Sequence, residues 1–286
     1  MADDTQTQGQ LPTSRSVARR RRFEPGAFCW VGLATSDPAA AKAFYASQFG
    51  WQSADLPAGK FGAYASLRRV GKEVAILYRQ TREARAARAA PHWTPYISVE
   101  DADASALQAQ QLGGAVLRDP HDLADAGRVA ALRDPVGAIL SLWQPRAHGG
   151  AELINELGAL CWHELLTVDL DRTKSFYNAL LGWEYEASAS GHTTITNAGS
   201  RIATMRARHE QEGATADGWI PYFGVESTQE AAGKAAQNGG RTLTAPTDGP
   251  IGRTALLADP HGARFAVLDI GALGQPRRRD ATKERR

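Results

Sequence analysis

At 286 residues, 43% hydrophobic and 22% charged, the chain is long enough to bury two ordinary cores. No apolar run approaches bilayer length and the N-terminus has no signal-like apolar core, so a cytoplasmic protein is expected. The net charge of +2 is unevenly spread: residues 1–22 carry +3 and residues 275–286 carry +4, leaving −5 on the body. Neither basic end has interleaved aromatics or an amphipathic period. Both are expected to be disordered, solvated tails, with neither nucleic acid nor membrane as a partner.

The first ordered segment, CWVGLATSDPAAAKAFYASQFGWQ from Cys29, returns from Cys161 as CWHELLTVDLDRTKSFYNALLGWE, identical at 10 of 24 positions. A second pair, opening at Trp93 and Trp219, matches at 12 of 28, and GRVAALRDPVG (127) and GRTALLADPHG (252) close the two copies. The chain is therefore a tandem duplication, with domains expected over 27–145 and 159–271 and a linker over 146–158. Within a copy, a strand ends at Thr35 or Thr167. Asp37 or Asp169 then stands where a helix N-cap is expected, followed in the first copy by Pro38. Phe44 and Tyr45 (Phe176 and Tyr177) lie on that helix, and Gly50 or Gly182 ends it. Three strands follow, and the sequence then repeats strand, helix and three strands, with the second helix stopped by Gly-Gly at 113–114 and 239–240. Four helices are expected, over 37–49, 102–112, 169–181 and 228–238, outside curved mixed sheets. The fold class is α+β: four βαβββ modules in two domains. Cys29 and Cys161 are equivalent positions in different copies, so reduced thiols are expected rather than a disulfide.

The module order, the Asp…Phe-Tyr…Gly-Trp spacing and the Asp-Pro-x-Gly motif together resemble the vicinal oxygen chelate superfamily. This is the group of glyoxalase I, extradiol dioxygenases and fosfomycin- and bleomycin-binding proteins. Two-domain actinobacterial members are the most similar in organisation. The resemblance implies a divalent metal held by His, Glu or Asp side chains that converge across the concave sheet. Carried over by position, the first ligand falls on Val31 in copy one and His163 in copy two. The others fall near Ile76, Thr94 and Ser141, and near Thr204, Ile220 and Ala266, with Glu73 a remote candidate. Neither set is complete, so neither a metal nor another cofactor is expected.

Strand alternation assigns the cup linings. In copy one, Tyr64, Ser66 and Arg68, then Val74, Ile76 and Tyr78, then Thr94, Tyr96 and Ser98, and Ile139, Ser141 and Trp143 should face the cavity. Copy two offers His163, His192, Thr194, Tyr222 and Met205. The candidate ligand-binding residues are Tyr64, Tyr78, Tyr96, Ser141, Trp143, His163, His192 and Tyr222. Trp30 and Trp162, like Trp51 and Trp183, read as packing residues. Aromatic rings with scattered hydroxyls suit a flat, hydroxylated aromatic ligand. The expected function is metal-independent binding of such a natural product, for self-protection or in support of a tailoring enzyme. A glyoxalase-like lyase, isomerase or oxygenase is the alternative, and a homodimer is left open.

Overall fold

The computed structural model describes residues 23–57, 63–188, 191–208 and 218–271. The expected tails at 1–22 and 275–286 lie outside the described residues. The two copies form two eight-stranded mixed sheets with the same topology. In the first, β1 (Phe28–Thr35), α1 (Pro38–Phe49), β2 (Gln52–Pro57), β3 (Ala63–Arg69) and β4 (Lys72–Arg79) make one module. The second module comprises β5 (His92–Ser98), α3 (Ala102–Gln111), β6 (Ala115–Leu123), β7 (Gly127–Arg133) and β8 (Ile139–Pro145). A five-residue helix, α2 (Arg82–Ala86), which the sequence reading did not anticipate, joins them. The strand order is β2-β3-β4-β1-β5-β8-β7-β6, so β1 and β5 lie side by side at the centre and antiparallel.

The second sheet repeats this with β9 (Leu160–Thr167), α4 (Leu170–Leu181), β10 (Glu184–Ala187), β11 (His192–Asn197) and β12 (Ser200–Ala207). Its other module is β13 (Gly218–Val225), α5 (Thr228–Gln237), β14 (Arg241–Gly249), β15 (Gly252–Ala258) and β16 (Arg264–Asp269). Helix starts and stops follow the expected chemistry. Asp37 accepts from the backbone N–H groups of Ala39 and Ala40, and Asp169 from that of Arg172. Gly50 and Gly182 end their helices at φ 71°, a conformation that costs glycine little.

The four long helices lie outside the curled sheets, as expected, each with one face exposed and the other packed toward the facing domain, α1 against α5 and α3 against α4. One continuous core joins Val31, Phe44, Tyr45, Trp51 and Trp93 of the first domain to Phe223, Ala232, Phe265 and Val267 of the second. A second core joins Ile97, Leu132 and Leu140 to Leu165, Phe176, Trp183 and Trp219. Each domain therefore completes the other's cores. The repeated motifs are the clamps that hold this arrangement. Trp219 Nε1–H donates to the Tyr177 hydroxyl (3.0 Å), and that hydroxyl donates to Asp134 of the other domain (3.1 Å). The other carboxylate oxygen of Asp134 accepts from the N–H groups of Val136, Gly137 and Ala138. Trp93, Tyr45 and Asp259 form the mirror relay, at 3.0 and 3.4 Å. Gly114 and Gly240 leave no room for a side chain, first because carbonyl oxygens of their own domains lie within 3.0 Å (Ala109 and Arg133) and 2.7 Å (Ala258) of where a Cβ would sit. A Cβ there would also come within 3.0–3.1 Å of Phe176 and Phe44 respectively, each from the facing domain.

The stretch 146–158, expected as a linker, is an ordered strap. Ala151 N–H donates to Cys29 O, Glu152 N–H to Glu73 O, and Gly158 N–H to Gly224 O. A Cβ on Gly150 would meet Cys29 O at 2.4 Å. No helix among the described residues is long and apolar enough to cross a membrane. Both cysteines are free thiols.

Candidate ligand-binding cup

Each sheet curls away from the helix layer into a cup, and the two cups have different contents. In cup one, Trp30, Tyr96 and Trp143 pack edge-on at 5.5–6.5 Å and are 0–5% exposed. The strap completes the filling. His148 lies 4.5 Å from Trp30, its carbonyl accepts from Trp143 Nε1–H, and its Nε2 stands 2.9 Å from Glu73 Oε1. Since Nδ1 of His148 accepts from Gly150 N–H, the ring proton sits on Nε2 and points at that carboxylate. Ser66 donates to the other oxygen of Glu73.

The expected residues Tyr64, Tyr78, Tyr96, Ser141 and Trp143 all stand on this concave side. Tyr64 and Tyr78 are half-buried, and burial raises the pKa of both hydroxyls and of Tyr96. Val74 does not join them. A bulge where Leu67 pairs with Ala75 and Arg68 with Glu73 shifts the alternation. Val74 turns to the helix-side core and Glu73 turns inward.

Cup two is open. Two adjoining lobes of about 740 and 610 Å³ meet at Ser188, His192, Thr204, Pro250 and Ile251, within the range of small-molecule sites. Lobe one adds Glu164, Arg206, Ile220 and Tyr222, with threonines from β14 and β15 at its rim. Lobe two adds Trp162, Thr194, Leu268 and Ile270. The register explains this grouping. Glu164 lies opposite Thr204 on β12 and Ile220 on β13, Arg206 opposite His192, and Trp162 opposite Tyr222.

Glu164 is the electrostatic centre. It is 8% exposed and accepts from the Tyr222 hydroxyl on Oε2 at 2.8 Å. Its Oε1 faces His192 Nε2 at 3.5 Å and Arg206 Nε at 3.7 Å. Burial first, then the Glu164 charge, holds the Tyr222 hydroxyl far above the usual phenol range, so it remains a donor. Trp162 Nε1–H donates to Thr204 Oγ1 at 3.2 Å, leaving the half-buried indole against lobe two. Beside it, burial pushes the Cys161 thiol up to about 12, so it is not a reactive thiolate.

Of the expected cup-two residues, His192, Thr194 and Tyr222 line the cavity. His163 and Met205 do not. His163 is 2% exposed, stacks on Phe28 of the other domain at 4.0 Å and meets Trp219 edge-on. Burial lowers its pKa to about 3. Met205 belongs to the same helix-side core. The error is one of phase. Thr167, bonded to Thr173 on α4, shows that odd-numbered residues of β9 face the helices, so counting six back from Asp169 lands on the wrong face. The even residues Trp162 and Glu164 face the cup. Val31 is misplaced in the same way, and Trp30 and Gly32 are its cup-facing neighbours. The cavity-lining positions of Glu164, Arg206 and Trp162 were missed. The chain gave no phase signal here, because Leu165 and Leu166 are adjacent leucines buried on opposite faces of β9.

The metal implied by the fold does not fit either cup. On the central strands, cup one presents Gly32, Ile76, Thr94 and Ser141, and cup two presents Glu164, Thr204, Ile220 and Ala266. Among the described residues, no group of three or more His, Cys, Asp or Glu could hold a metal ion. Glu164 also already has a guanidinium beside it.

This paired, curled-sheet architecture with one open cup defines a glyoxalase-type protein. The sequence model of the Glyoxalase/Bleomycin resistance protein/Dioxygenase superfamily matches residues 28–142 and 159–267, and the chain belongs to that superfamily. It is 37% identical over 257 residues to CFP32 of Mycobacterium tuberculosis, a protein whose name assigns it provisionally to the glyoxylases (88% of this chain, 98% of that protein). It is 32% identical over 265 residues to the anthracycline biosynthesis protein DnrV of Streptomyces peucetius (87% and 95%). The 2,3-dioxygenase LapB from Pseudomonas sp. KL28 superposes with a TM-score of 0.58 at 13% identity, covering 84% of this chain and 91% of that one. The Mn(II)-bound glyoxalase from Novosphingobium aromaticivorans gives 0.57 at 16%, covering 85% and 82%. At such identities the likeness is one of fold.

Proposed function

We propose that the protein is a metal-independent binder of an aromatic, hydroxylated natural product, acting in the cytoplasm, with cup two as the ligand site. The observation that carries this reading is the lining of that cup. An exposed indole face and apolar side chains lie beside a carboxylate, a guanidinium, an imidazole and several hydroxyls, without the ligand set of a divalent ion. The naming of DnrV for anthracycline biosynthesis supports a polycyclic aromatic ligand and a role in sequestration or in assisting a tailoring enzyme. In this reading the working partner is the small molecule, and the basic tails engage neither nucleic acid nor membrane.

The test is quenching of tryptophan fluorescence by hydroxylated polycyclic aromatics after exhaustive chelation. Saturable quenching that Trp162→Ala weakens by about 1–3 kcal/mol supports the proposal. Binding that disappears with chelation, or that is indifferent to Trp162, overturns it. One observation favours a second reading, an enzyme on the same ligand class: a buried carboxylate and an imidazole stand 3.5 Å apart in the cavity, a pairing suited to proton transfer. Turnover of a bound compound, followed by chromatography, would establish it.

A further inference from the structure

The segments that lead into the first strand of each domain belong to the repeat: FEPGAFCW at 23–30 and NELGALCW at 155–162, identical at five of eight positions. Their backbones are held alike. Gly26 N–H donates to Ser98 O and Gly158 N–H to Gly224 O, while Ala27 N–H donates to Glu24 O and Ala159 N–H to Glu156 O. The leading residue differs. In copy one it is Phe23, which packs against the aromatic cluster of cup one. In copy two it is Asn155, which lines lobe two of the open cup. A carboxamide thus borders a cavity where the other copy is closed by a ring.

Asn155 comes from the strap rather than from the sheet. Its N–H donates to Leu160 O at 2.8 Å, which pins it beside the first residue of β9. Its φ of 59° is left-handed, a conformation asparagine adopts more readily than most residues with a side chain. The residue is exposed, and its side chain is hydrogen-bonded to no other described residue. Arg201, also on this wall, pairs with Glu186 at 4.0 Å. The parallel pairing of β12 with β9 sets Thr204 level with Glu164. Trp162, two residues earlier on β9, therefore lies toward the strap. From Leu160 to Glu164 the strand covers about 13 Å, at about 3.3 Å per residue. Polar groups flank the Trp162 indole on both sides, Glu164 in one direction and Asn155 in the other.

Resting on the reading of cup two as an aromatic-ligand site, we infer that Asn155 is a specificity-determining residue and that the ligand is an elongated aromatic with hydrogen-bonding groups at opposite ends. One end meets the cluster around Glu164, and the rings lie against Trp162. The far end meets the Asn155 carboxamide, which carries both donors and an acceptor and so takes a hydroxyl or a carbonyl. A ligand that is polar at one end only leaves that carboxamide in water and gains nothing from the strap.

Three probes on one ring system test this with the full chain. In 2,6-dihydroxyanthraquinone the hydroxyls stand at opposite ends, in 1,2-dihydroxyanthraquinone they are neighbours, and 2-hydroxyanthraquinone has one. The 2,6 isomer should bind at least about fivefold tighter than either of the others, as one added hydrogen bond allows. Asn155→Gly, which suits the left-handed backbone, should bring the 2,6 isomer to within about twofold of the monohydroxy probe and leave the latter nearly unchanged. If Asn155→Gly melts well below the parent protein, Asn155→Ala takes its place. The inference is overturned by equal affinities in the parent protein, by a preference that survives loss of the carboxamide, or by an equal loss for all three probes in the variant. In each of those cases, weakening of all three by Trp162→Ala would leave the aromatic cup standing. Binding of none of the three would bring down both readings.

Discussion

The two cups have the same strand order and register and opposite contents. Cup one is plugged by its own Trp30, Tyr96 and Trp143 and by His148 from the strap. Cup two keeps an open cavity around Glu164. The difference can be traced to a few positions. At the central strand one copy has glycine and the other glutamate, and at Gly32 a Cβ would already come within 3.0 Å of Tyr96 and 3.2 Å of Ile76 and Tyr78. Where copy one has Trp143, copy two has Leu268, and where it has Ser141, copy two has Ala266. The two copies thus differ in use of the same frame: one cup is packed with rings, and the other holds charge and space.

That comparison makes Trp143→Ala the most damaging change. It removes a fully buried ring and should cost about 3–5 kcal/mol of unfolding free energy. Trp162→Ala, at the open cup, should cost less than about 2 kcal/mol. Denaturant titration of both would reverse the assignment of scaffold and site if the order came out the other way. Next comes Tyr177→Phe, which leaves Trp219 Nε1 and one Asp134 oxygen unpartnered between the domains, at about 1–3 kcal/mol. Tyr45→Phe should cost less, because its bond to Asp259 is longer. A split of the unfolding curve into two transitions in either variant, where the parent shows one, would show that these relays couple the domains.

Gly32→Ala should cost about 1–3 kcal/mol through overpacking, with no effect on ligand binding in cup two. A ligand affinity that falls along with the stability would place the site in cup one. The smallest effect at neutral pH belongs to His163→Phe. In the native protein burial holds His163 neutral down to about pH 3, against about 6.5 in the unfolded chain. Its contribution is therefore fully present above pH 6.5. As pH falls below that, the unfolded state gains a proton the folded state refuses, and stability drops by up to about 1.4 kcal/mol per pH unit. His163→Phe should flatten that part of the stability–pH curve and leave pH 8 nearly unchanged. A parallel curve would mean that His163 is solvated.

Much of this protein was legible from the chain alone, for a local reason. A tandem repeat, a capping Asp, a stopping Gly and a buried Phe-Tyr pair are set by near neighbours and by periodicity, and Asp37, Gly50, Asp169 and Gly182 stand where that chemistry puts them. Superfamily membership followed from the same signals. The face on which a side chain emerges was less accessible, because strand alternation carries a phase. One bulge in β4 turned Glu73 inward and Val74 outward, and one misplaced count put His163 in the cup when it stacks on Phe28. Most distant of all was the packing of one domain on the other. The Asp-Pro-x-Gly motif served in the sequence only as a mark of resemblance, yet Asp134 and Asp259 accept hydrogen bonds from tyrosines more than 40 residues away. The sequence by itself determined the repeat, the modules and the superfamily. Only the tertiary structure decided that one cup is filled and the other open, because that depends on whether a strap and three aromatic rings close on one another across strands distant in the chain.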